Sequence, residues 1–221
     1  MKSLLTALIL ISCMAFFPKP KKVIFFGDSI TQAGAQTGGY IQLMDSICKK
    51  EGLGSAFELI GKGIGGNKVT DLYLRLEKDV LAHQPDVVFI YIGINDVWHK
   101  AGAGTGTDAD KFIQFYQAII DKIKATGAEI ILSTPSVIGE KTDNSNQQDG
   151  DLNHYANLIR NLASKNGLAL VDLRKAFMNY NELHNKTNAD RGILTTDRVH
   201  LNAAGNLLVA QEFLAKLKAK K

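Results

Sequence analysis

Only two cysteines, Cys13 and Cys48, stand in the 221 residues, so no disulfide framework holds this chain together. Acidic residues are missing from both ends: residues 1–22 and 216–221 contain none, yet they carry Lys2, Lys19, Lys21, Lys22, Lys216, Lys218, Lys220 and Lys221. Setting those eight charges aside turns the net +4 of the chain into −4 for its body, so the basic balance belongs to the ends and a nucleic-acid-binding face is not expected. Long apolar runs are also scarce. The longest, within "MKSLLTALILISCMAFF", covers about fifteen residues, fewer than the roughly 20 a membrane-spanning helix needs. His83, His99, His154 and His184 have no second ligand at metal-binding spacing, so no metal is implied. There is one tryptophan, Trp98, and no internal repeat.

What remains is the make-up of a soluble globular protein, with 45% hydrophobic and 22% charged residues, enough for one core in one domain. Residues 1–20 read as an export signal and residues 21–221 as the domain. One lysine precedes the apolar run and "PKPKK" closes it. Within it, "LISC" resembles the lipobox of bacterial lipoproteins, which implies a lipid anchor at Cys13; the other reading is an ordinary signal cut near Ala15. Either way the expectation is an exported bacterial protein, periplasmic, secreted or anchored. Cys48, in "YIQLMDSICKK", reads as a packed apolar side chain on a helix.

Short apolar runs then alternate with stretches of helical period. Strands are expected at Val23 to Phe26, Phe57 to Ile60, Val87 to Ile92, Ile130 to Leu132 and Leu168 to Val171. Helices are expected at Ile41 to Lys50, Leu72 to Val80, Phe112 to Ala125, Leu152 to Ala163 and Ala203 to Leu217, the last with Asn202 as its N-cap. Near-continuous apolar strands separated by helices predict an α/β fold whose parallel sheet is covered on both faces. Functional residues should then gather at the carboxyl ends of the strands. Two polar stretches, residues 139–151 and 179–192, read as long loops and candidate walls of a cleft.

The strand ends carry the chemistry. "FFGDSITQAG" places Ser29 just past the first strand, "GKGIGGN" follows the second, and "YIGINDVW" places Asn95 and Asp96 past the third. "TTDRVHLNAAG" puts Asp197 and His200 before the last helix. A serine hydroxyl needs a base, and the base needs an acceptor on its other ring nitrogen. Asp197 can hold the Nδ1 proton of His200, which frees Nε2 to take the proton of Ser29. Donors for a developing oxyanion are available from the amides of Ser29 and a glycine of the second loop, and from the side chain of Asn95. Trp98 reads equally as cleft lining or as a packing residue.

The Gly61, Gly63, Gly66 spacing also matches a dinucleotide-binding loop, but it follows the second strand instead of the first, and Asp86 precedes the third strand instead of ending it. A phosphate loop fails because Asn67 stands where its lysine should be.

Four blocks in order, "GDS" at 27–29, "GIGG" at 63–66, "GIND" at 93–96 and "DRVH" at 197–200, resemble the SGNH hydrolases, the GDSL lipase/esterase family. The resemblance spans residue 23 to the end. It implies a flavodoxin-like three-layer α/β/α sandwich of about five parallel strands. It also implies a serine hydrolase acting on an ester, thioester or amide through an acyl-enzyme, without cofactor or metal. Ser29, Asp197 and His200 would be catalytic, with Ser29, Gly66 and Asn95 as the oxyanion hole; Asp28 and Asp96 would hold turns. Gly61 stands where the family often has a bracing asparagine, so a looser second loop is expected.

The substrate classes left open are an acetylated carbohydrate, a short ester, a lysophospholipid and a thioester; the lack of a long apolar lid favours short acyl groups. Two non-catalytic alternatives are a flavodoxin-like module that holds a flavin or nucleotide phosphate and a silent carbohydrate-binding relative. The first has no use for a serine, histidine and aspartate set, and the second would lack a member of it.

Overall fold

A computed structural model describes residues 19–219; the stretch expected to be an export signal, Cys13 included, falls almost wholly outside them. Five strands, β1 (Lys21–Gly27), β2 (Phe57–Gly63), β3 (Val87–Tyr91), β4 (Glu129–Ser133) and β5 (Ala169–Val171), form one sheet in the order β2-β1-β3-β4-β5. Every neighbouring pair is parallel. β1 from Val23 onward and all of β3 are buried, which explains why both read as unbroken apolar runs. All five expected strands form, with β1 and β2 extending to the glycines that end them.

Among the described residues eight α-helices accompany the strands: α1 (Ser29–Gly34), α2 (Tyr40–Lys50), α3 (Val69–Asp79), α4 (Ile94–Ala103), α5 (Ala109–Lys124), α6 (Asp149–Asn166), α7 (Leu173–His184) and α8 (Ala203–Lys218). α2 and α8 pack together, while α3 lies against α5 and α5 against α6. The α2 and α8 side is sealed by aromatic rings. Phe213 of α8 stacks on Phe89 at 4.9 Å and on Phe25 at 6.0 Å, and meets Tyr40 of α2 edge-on at 5.4 Å. The opposite side has Phe112 against Tyr116 and Tyr155. Cys48 is buried on α2.

Two expectations change. The stretch 179–192 is not wholly loop, because α7 runs through to His184; its inward residues Leu173, Arg174, Phe177 and Asn181 include two polar ones, which hides its period. Likewise 149–151 belongs to the first turn of α6, where Asp149 and Asp151 suit the positive end of a helix. α1 and α4 were also outside the expected set.

In this strand order the chain reverses direction across the sheet between β1 and β3, and a crevice opens beyond their carboxyl ends. Ser29 leaves β1 there and Asn95 leaves β3.

Candidate active site

Asp28 starts the local geometry. Its side chain caps α1 by accepting the amide hydrogen of Ile30 at 2.9 Å, so the chain turns from strand to helix at Ser29. Ser29 is the first helical residue, and its amide is among those for which a helix offers no internal acceptor. Its hydroxyl oxygen lies 2.9 Å from His200 Nε2. His200 Nδ1 lies 2.7 Å from Asp197 Oδ2.

Asp197 has two tasks. Oδ1 accepts the amides of Val199 at 3.1 Å and His200 at 2.8 Å, which fixes the turn, and Oδ2 faces the ring. Partial burial alone would raise its carboxyl, but the hydrogen bonds to His200 and Val199 outweigh it and hold the group below the usual carboxylate range. An ionised carboxylate only accepts, so Nδ1 carries the proton. In the neutral ring Nε2 is then the acceptor of the Ser29 hydroxyl. Between the two, Arg198 adopts φ +89°, a left-handed conformation uncommon outside glycine, and pairs with Asp190 at 3.2 Å.

The glycine loop folds against this line. Gly66 has φ +75°, which a side chain would oppose. A Cβ built on Gly65 would lie 3.9 Å from that of Ser29, so the loop passes beside the hydroxyl. Asn95 is buried on the first turn of α4, and its amide nitrogen donates to the Asn67 carbonyl at 3.0 Å. One N–H ties it to the loop, and a carboxamide has a second.

Gly61 does not leave the loop without support. A Cβ there would meet Ala35 at 2.7 Å, so no asparagine fits. Arg75 on α3 supplies the brace: Nε donates to Asn67 Oδ1 at 2.7 Å, and Nη2 donates to the carbonyls of Gly27 at 2.6 Å and Lys62 at 3.1 Å. Its guanidinium lies over Phe26, 4.5 Å from the ring centre, and pairs with Asp79 at 2.6 Å. Gln32 Oε1 adds a bond from the Gly65 amide at 2.9 Å. Sequence reading missed Arg75, because an arginine four residues before an aspartate looks like an ordinary surface pair.

Asp28 and Asp96 both hold turns. Asp96 accepts the Val69 amide at 3.2 Å at the start of α3. Burial raises Asp28 to about 7, with Asp96 adding to the shift against the pull of the Ile30 amide. Burial likewise raises Asp96 to about 6. Trp98 packs against the core, as one of its readings had it, and lies edge-on to His200 with ring centres 6.3 Å apart. His99 lies beside Gly66, and partial burial with nearby Lys68 lowers it. His154 and His184 lie against Tyr155 and Tyr180.

The two polar stretches do meet. Lys141, Asn144, Asn146, Asn179 and Glu182 line a cavity of about 300 Å³, and Asn146 and Lys141 also border a second that Arg198 lines.

Residues 25–208 match the GDSL-like lipase/acylhydrolase family. The chain is 30% identical over 215 residues to the acetylxylan esterase of Geobacillus stearothermophilus, covering 89% of this chain and 94% of that one. Among solved structures it resembles the acetyl xylan esterase AlAXEase, at 60% identity and TM-score 0.87 over 88% of this chain and 98% of that one. It also resembles LAE5, an alpha/beta hydrolase enzyme from the metagenome of Lake Arreo, Spain, at 27% identity and TM-score 0.80 over 93% and 98%. With the match running from within β1 into α8, the chain belongs to the GDSL-like lipase/acylhydrolase family of carboxylic ester hydrolases.

Proposed function

We propose that this enzyme removes acetyl groups from xylan or a closely related carbohydrate, with Ser29 as nucleophile, His200 as general base and acid, and Asp197 as the group that orients His200. The observation that carries this reading is the continuous line from the Ser29 hydroxyl through His200 to Asp197, at 2.9 and 2.7 Å. His200 Nε2 takes the hydroxyl proton as Ser29 Oγ attacks the acetyl carbonyl. The amides of Ser29 and Gly66 and the free N–H of Asn95 hold the oxyanion. When the tetrahedral adduct collapses, His200 returns the proton to the departing sugar oxygen and an acetyl-serine remains. Water, deprotonated by His200, then attacks that ester; acetate leaves and Ser29 recovers its proton.

The acetyl and carbohydrate preference is supported by the acetylxylan esterases among its relatives. We further propose that the first twenty residues direct export, with lipidation at Cys13 as the anchored form.

The test is hydrolysis of nitrophenyl esters from acetyl to palmitoyl, beside acetylated xylan and a lysophospholipid. Acetyl esters and acetylated xylan should be turned over fastest, and a strict long-chain preference would refute the substrate. Ser29→Ala should keep the fold and lose at least roughly a thousandfold in kcat; near-wild-type activity would refute the mechanism.

A further inference from the structure

Glu140 lies in the loop after β4, with no exposed surface and 57 residues before Asp197 in the sequence. Its carboxylate accepts three consecutive backbone amides of the segment that leads to Asp197: Ile193 at 2.8 Å on Oε2, then Leu194 at 2.6 Å and Thr195 at 2.7 Å on Oε1. Among the described residues no lysine or arginine forms an ion pair with it, so backbone N–H groups hold the carboxylate. The surrounding backbone is tied in the same sense. The Glu140 amide donates to the Asp190 carbonyl at 3.0 Å, and the Gly139 amide donates to the Arg198 carbonyl, inside the Asp197 to His200 turn, at 2.9 Å. Asn185 Nδ2 donates to the Glu140 carbonyl at 2.7 Å.

The clamped segment is the base of a small hairpin. Thr195 bridges Leu201, Thr196 donates its amide to the His200 carbonyl at 2.8 Å, and Asn202 donates its amide to the Leu194 carbonyl at 2.9 Å. Asp197 and His200 sit at the tip with their side chains partly exposed to solvent. Val199 between them is buried in the core and the Arg198 carbonyl accepts the Gly139 amide, so the tip is seated through its own turn while the three-amide clamp sets the base of the hairpin that carries it. We propose that Glu140 is a positioning residue for ester hydrolysis: by clamping residues 193–195 it sets where Asp197 and His200 stand relative to Ser29. This inference rests on the roles proposed for those three residues.

Glu140→Gln retains one oxygen for Leu194 and Thr195 but turns an N–H against the Ile193 amide; Glu140→Ala leaves all three amides without the carboxylate. In the full chain acting on nitrophenyl acetate, kcat per folded molecule should fall about 10-fold in Glu140→Gln and about 100-fold in Glu140→Ala, the scale of a displacement near 1 Å. KM should stay within about threefold, since ground-state binding is untouched. The low-field proton resonance of the His200 Nδ1–H donated to Asp197 should shift or broaden in both variants. A role in stability alone would lower the melting temperature and leave kcat per folded molecule and that resonance as in wild type, which would overturn the proposal. If Glu140→Ala does not fold, Glu140→Gln decides by the same two readouts. The Ser29→Ala test is independent: activity retained there removes the mechanism, whereas unchanged kcat in the Glu140 variants removes only the clamp.

Discussion

Asp28 adjoins the nucleophile and sits in a place hostile to its own charge. Burial raises its carboxyl from 3.8 to about 7, and the nearby Asp96 adds to the shift. Between those two pH values the folded protein keeps a proton that the unfolded chain has released, so this group weakens the fold as pH rises through the window, and the effect levels off above about 7. Asparagine can accept the Ile30 amide and does not titrate. Asp28→Asn should therefore gain on wild type by roughly 3 kcal/mol in unfolding free energy between pH 5 and pH 8. Urea unfolding at the two pH values measures it, and a difference between the proteins that does not change with pH would show that Asp28 does not titrate there.

At the scale of elements, α8 decides whether one face of the sheet is closed. Phe213 stacks on Phe25 and Phe89 and meets Tyr40 and Tyr91 edge-on, so one side chain ties α8 to β1, β3 and α2. Removing a fully buried aromatic ring costs about 3–5 kcal/mol. Phe213→Ala is expected to lose that much in urea unfolding while the helix content seen by circular dichroism persists below the transition; a loss under 1 kcal/mol would mean that the ring cluster carries little of the packing. The elements that the sequence concealed share a physical cause. α1 is only six residues long, too short to display a period. α4 buries four residues in succession, Ile94 to Val97, where a surface helix would show a spaced stripe. α7 turns Arg174 and Asn181 inward, so its buried face does not look apolar.

For the whole molecule, closure depends on the end of the chain. α8 returns from beyond the active-site turn to lie on α2, more than 150 residues earlier. Ending the chain at residue 202 would bare Phe25, Phe89 and Tyr40 together. Such a chain should bind a hydrophobic dye and lack a cooperative unfolding transition; a sharp transition would show that the sheet folds without α8.

The sequence by itself determined the strand-and-helix alternation, because strands buried on both faces must be apolar throughout. It also determined the four short blocks, three at strand ends and one before α8, because each carries its chemistry within three or four neighbouring residues. Only the tertiary structure decided what supports those blocks. Arg75 reaches Gly27 across 48 residues and Glu140 reaches Leu194 across 54. A side chain that satisfies distant backbone groups leaves no local pattern, since its partners are main-chain atoms that every residue possesses. The distance from Ser29 to His200, 171 residues apart along the chain and 2.9 Å apart in the fold, was likewise a matter of how the layers close.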